Sequence, residues 1–76
     1  AGAVVGHDAV IDDCAMISPR AVLSGFARVG PAAYVGAGAA VRQRVTIGER
    51  ALVGLGAVVI SNVPAGTTVV GNPARV

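Results

Sequence analysis

His7 is the chain's one histidine, and an aspartate, Asp8, follows it directly. An imidazole changes charge near neutral pH, so it can take a proton from an attacking amine or hydroxyl. A carboxylate beside it could orient it. Neighbours on a regular strand point to opposite faces, so this pairing requires a bend at residues 7–8. On chain position alone, a solvated surface histidine is the favoured account of His7. Cys14, the one cysteine, does not complete a nucleophilic dyad. Nothing local marks an activated thiol, and Cys14 reads as an inert corner residue. A catalytic zinc held by three histidines needs more imidazoles than this chain has, so no metal is expected.

The chain that must position these groups has 76 residues, which bounds it at one domain. Hydrophobic residues make up 54% and aromatics only 3%, so the core is built from small aliphatic side chains. Gly, Arg or Asp interrupts every long apolar stretch, so no membrane span is expected. The first residues lack the basic start and apolar run of a signal peptide. A lone thiol cannot form an internal disulfide, which points to a reducing cytoplasm. Six arginines against four acids give a net charge of +2 with no basic run, too weak a bias for nucleic-acid binding.

The organising signal is a period of six. From Val5 the chain reads VGHDAV, IDDCAM, ISPRAV, LSGFAR, VGPAAY, VGAGAA, VRQRVT, IGERAL, VGLGAV and VISNVP. The first position is always a branched aliphatic, from Val5, Ile11 and Ile17 through Val59. The fifth is always Ala or Val, ending with Val63. Charges fall only on the other four positions. Apolar residues six apart would form no stripe on a helix. The pattern fits short strands separated by corners, each strand turning its branched residue inward. Gly6, Gly30, Gly36, Gly48 and Gly54 follow the inward residue, where glycine is expected to supply the positive φ of a bend. Ala3 and Val4 already fit the end of a preceding hexad, so the sequence reads as starting inside the repeat. Stacking such coils makes a parallel β-helix over residues 1–64. Residues 65–76 read as a turn, a short strand and a tail. Val10, Met16, Val22, Tyr34, Leu52 and Val58 hold the sixth, outward position. Together they are expected to form a subunit interface.

The hexads, the opening GHDAVIDD and the closing VVGNPARV resemble one family, the hexapeptide-repeat acetyltransferases of the sialic acid O-acetyltransferase and UDP-4-amino-sugar N-acetyltransferase type. The resemblance covers essentially the whole chain. It implies an all-β, left-handed parallel β-helix with three hexads per triangular coil and a little over three coils. That hand runs against the usual right-handed crossover. It further implies transfer of an acetyl group from acetyl-CoA to an amino or hydroxyl group of a nucleotide-linked sugar, in a homotrimer whose sites lie between subunits. His7 matches the family's base and Asp8 the acid that orients it. Gly25, one coil above His7, matches a glycine near the thioester and offers its N–H as an oxyanion donor. Ala37 and Leu55 match cofactor contacts, Leu55 replacing a common glycine. Arg75, in the Gly71–Arg75 tail motif, is a candidate for a coenzyme A phosphate; a solvated terminal arginine is the alternative. Met16 stands where relatives carry a polar group near the acceptor, and Ser18 lies close by.

Two other readings of the column compete. An ice-binding helix would need a regular threonine array, and Thr46, Thr67 and Thr68 do not form one. A non-catalytic oligomerisation module or scaffold fragment fits the in-phase start. The retained His7–Asp8 pair favours the enzyme, which could be inactive as an isolated fragment.

Overall fold

The structure, a computed structural model, describes residues 4–75. Ala3, assigned above to a preceding hexad, lies outside them. Eleven two-residue strands follow one another along the described chain. They are β1 (Val4–Val5), β2 (Val10–Ile11), β3 (Met16–Ile17), β4 (Val22–Leu23), β5 (Arg28–Val29), β6 (Tyr34–Val35), β7 (Ala40–Val41), β8 (Thr46–Ile47), β9 (Leu52–Val53), β10 (Val58–Val59) and β11 (Thr68–Val69).

Strands pair in parallel with those one coil away. Val4 faces Val22 and Val5 faces Leu23, a step of eighteen residues. The same step joins Val10 to Arg28 and Met16 to Tyr34. Three sheets result: a first face β1-β4-β7-β10, a second face β2-β5-β8 and a third face β3-β6-β9-β11. The first hexad position fills the interior: Leu23, Val29, Val35, Val41, Ile47, Val53 and Val59 are fully buried. Ala21, Ala27, Ala33, Ala39, Ala51 and Ala57, from the fifth position, complete the core with Val45. No polar or charged residue is buried among the described residues. Inward direction and burial part company in the first coil: Val5 remains 49% and Ile11 40% exposed. Their strands are paired on one side only within the described column, at β4 and β5.

Each corner is a tight turn. The fifth-position N–H donates to the second-position carbonyl, as Ala9 does to Gly6 at 3.2 Å and Ala21 to Ser18 at 3.3 Å. The fourth residue is left-handed, with φ of 56° at Asp8, 62° at Phe26 and 70° at Gly38. Pro19 and Pro31 stand just before such residues, the usual preference of a type II turn. The glycines expected to supply positive φ are therefore two positions off. Second-position glycine has a different cause, close stacking. A Cβ on Gly6 would lie 2.7 Å from the Gly25 nitrogen, and one on Gly48 would lie 2.5 Å from the Ala65 nitrogen.

The tenth hexad also departs from the expected phase. Val63 does not hold a fifth position. It bridges Ile47 and is buried, so it takes the first position on the second face. Only four residues separate it from Val59, where six are the rule. The corner at 60–62 is shortened, and Asn62 ties it down by accepting the Thr46 N–H through Oδ1 at 2.9 Å. β11 then resumes the period under β9, so the column runs to about four turns.

Candidate functional site

The three faces meet at three edges. The first edge, between the first and second faces, carries the third- and fourth-position residues His7–Asp8, Gly25–Phe26 and Gln43–Arg44 in successive coils. A backbone ladder holds these corners in stack: the Phe26 N–H donates to the His7 carbonyl at 2.9 Å, and the Arg44 N–H to the Gly25 carbonyl at 3.1 Å. The bend required for a His–Asp pair comes from Asp8, whose left-handed backbone turns its side chain back alongside His7. The carboxylate Oδ2 lies 2.9 Å from the imidazole Nε2. Both side chains stand open to solvent, 82% and 58% exposed. With Nε2 committed to Asp8, Nδ1 is the nitrogen left for a reacting group.

Gly25 lies one coil along, about 4.8 Å away in the hydrogen-bonding direction. Among the described residues its N–H takes part in no backbone hydrogen bond. That freedom belongs to the third position in general, which is why proline is accepted there at 19 and 31. A Cβ on Gly25 would meet the His7 carbonyl at 3.4 Å, so a small side chain fits.

The other sequence candidates lie elsewhere. Ala37 and Leu55 occupy the edge between the third and first faces. The edge is laddered by the N–H groups that follow them, Gly38 donating to the Pro19 carbonyl at 3.2 Å and Gly56 to the Ala37 carbonyl at 2.8 Å. Met16 faces outward on the third face, opposite the His7 edge, and Ser18 donates to the Tyr34 hydroxyl there at 2.7 Å. The tail folds back over β10: Val58 donates to the Gly71 carbonyl at 3.0 Å, and Ala74 donates to Val58 at 2.7 Å. Arg75 is exposed at the β10 end of the first face, three strands from β1. Within one chain, then, the structure brings together His7, Asp8 and Gly25, and leaves Ala37, Leu55, Met16, Ser18 and Arg75 apart from them.

Two residues at the first edge escaped the sequence reading. The Phe26 ring meets the His7 ring edge-to-face, with centroids 5.7 Å apart and planes at 81°. The Arg44 guanidinium lies over Phe26, 4.9 Å from its centroid. The signal was available as the spacing 8, 26, 44, the same eighteen-residue step that relates His7 to Gly25.

No protein-family model matches the chain. Serine acetyltransferase 1, chloroplastic, of Arabidopsis thaliana is 42% identical over 97% of the chain and 26% of its own length. A histidine-to-asparagine mutant of perosamine N-acetyltransferase from Caulobacter crescentus, solved with CoA and GDP-perosamine, superposes with a TM-score of 0.96. It is 38% identical over 97% of this chain and 35% of that one. WeeI from Acinetobacter baumannii AYE gives 0.92, with 45% identity over 96% of this chain and 37% of its own. The repeat, the three-sided column and these relatives define the class, a left-handed β-helix of hexapeptide repeats. The chain belongs to the hexapeptide-repeat acetyltransferase family, whose solved members in this comparison include a sugar N-acetyltransferase. It spans about a quarter of the length of the curated relative and just over a third of the two solved chains.

Proposed function

We propose that this chain forms the acetyl-transfer unit of an enzyme that moves an acetyl group from acetyl-CoA to an amino or hydroxyl group of a nucleotide-linked sugar. The observation that carries the reading is the His7–Asp8 pair at 2.9 Å on an open edge, one layer from the free Gly25 N–H. His7 Nδ1 accepts the proton as the acceptor's nitrogen or oxygen attacks the thioester carbonyl. Asp8 holds the ring and balances the imidazolium. The Gly25 N–H donates to the oxyanion of the tetrahedral intermediate. Collapse breaks the carbon–sulfur bond, and the imidazolium returns the proton to the departing thiolate. The CoA and GDP-perosamine in the Caulobacter structure support the donor and the acceptor class.

The working form in this reading is a homotrimer with sites between subunits. The outward positions support it: Val4 and Val22 stack on the first face, and Met16, Tyr34 and Leu52 on the third, all exposed. The second face carries exposed Val10 beside Arg28, which pairs with Asp12 at 3.2 Å. A site shared between copies is also what would bring Ala37, Leu55, Met16 and Ser18 near a His7 from which their own chain separates them. Arg75 is assigned to a phosphate of the donor on the same basis. No helix among the described residues is long and apolar enough to cross a membrane. The exposed free thiol of Cys14 suits a reducing compartment, and the cytoplasm is the one assigned.

The test is acetyl-CoA turnover with GDP-perosamine as acceptor, by the native protein and by His7→Ala. A loss of roughly a hundredfold or more in kcat for His7→Ala is expected. Equal background in both would leave only a scaffold. A second acceptor reading, the hydroxyl of serine, is favoured by the 42% identity to serine acetyltransferase, so L-serine forms the other arm of the assay.

A further inference from the structure

Phe26 combines two unfavourable choices. It is the chain's one phenylalanine, and its side chain stands on an edge, 49% exposed. Its backbone is left-handed at φ 62°, a conformation a bulky side chain adopts rarely. The same position on another edge is filled by Gly38 and Gly56, which meet no such strain. A residue held against its preferences is held by its surroundings. The corner turn holds the backbone, as it does at Asp8, Cys14 and Arg44, while His7 and Arg44 meet the side chain. The Phe26 ring packs edge-to-face against the only imidazole, while its own N–H grips that histidine's carbonyl at 2.9 Å. Arg44, one coil further, seats its guanidinium on the ring at 4.9 Å.

We infer that Phe26 is a positioning residue for His7, with Arg44 bracing it from the far side. This rests on the reading of His7 as the base. A side chain 82% exposed would otherwise sample several rotamers, and the Asp8 contact alone allows the pair to swing together. The Phe26 ring removes that freedom by meeting the imidazole from the next coil. Nδ1 then keeps one direction relative to Gly25, whose backbone is fixed in the same ladder. The contact lies between aromatic rings, so tyrosine can supply it and leucine cannot.

The test uses the full chain and two readouts. Since His7 is the single histidine, its ring carbon-bound protons give one unambiguous set of NMR signals. Phe26→Leu is expected to move them to the position of a solvated histidine, and Phe26→Tyr to leave them close to native. In acetyl-CoA turnover with GDP-perosamine, Phe26→Leu should lower kcat roughly ten- to a hundredfold with KM for acetyl-CoA within about twofold. Phe26→Tyr should restore most of it, and Arg44→Gln should show a smaller loss in the same direction. If Phe26→Leu fails to fold, Arg44→Gln carries both readouts. Unmoved His7 signals overturn the inference outright. Native kcat in Phe26→Leu, alongside a lost kcat in His7→Ala, overturns positioning and leaves the base intact. Native kcat in His7→Ala removes the base reading and the inference with it.

Discussion

The first coil and the coils behind it carry the same hexad in different surroundings. Ile11 and Ile47 are the same residue in the same position of the same face. Ile47 lies between Val29 and Val63 and is fully buried, whereas Ile11 meets Val29 alone and is 40% exposed. In a globular domain, pointing inward and being buried are nearly one condition. In a column they separate, because burial needs a neighbour on both sides along the axis.

Matched substitutions would break or sharpen this contrast. Ile47→Ala should cost about 2–5 kcal/mol in chemical denaturation, the range for emptying a packed aliphatic site. Ile11→Ala should cost less than half of what Ile47→Ala does in the same measurement. Equal losses would mean that axial stacking does not set the energetics. Gly48→Ala follows at roughly 1–3 kcal/mol, because its Cβ would press on backbone 2.5 Å away. Ala32→Gly is expected to raise stability by about 1 kcal/mol, since it relieves a left-handed alanine at φ 59°. Smallest of all, His7→Ala should leave the unfolding midpoint where it was while removing turnover. A midpoint shift as large as that of Ile11→Ala would make His7 a structural residue.

The periodicity made the interior of the column legible. Leu23, Val29 and Val35 are buried where position one predicted, and the alanines where position five did. The period reports direction, however, and direction says nothing about how many coils lie above or below, which is why Val5 and Ile11 read as core. Val63 was misplaced because a valine closing a shortened corner looks the same in sequence as Val45 in a full one. The corner conformations were illegible for a related reason. Left-handed residues announce themselves when they are glycine, but here they include Cys14, Arg20, Phe26 and Arg50. At the site, adjacency alone marked His7 and Asp8. Phe26 and Arg44 needed the coil length applied to side chains as well as to the strands.

The eighteen-residue step also governs how such a molecule can change size. Duplicating one full circuit would add a single storey, about 4.8 Å of height, and return every later side chain to its former compass bearing. Gaining or losing one residue anywhere but at a corner would swing everything downstream off its bearing and turn the interior out. Growth in whole storeys is therefore the route by which an architecture of this kind can lengthen while its working edge stays vertical.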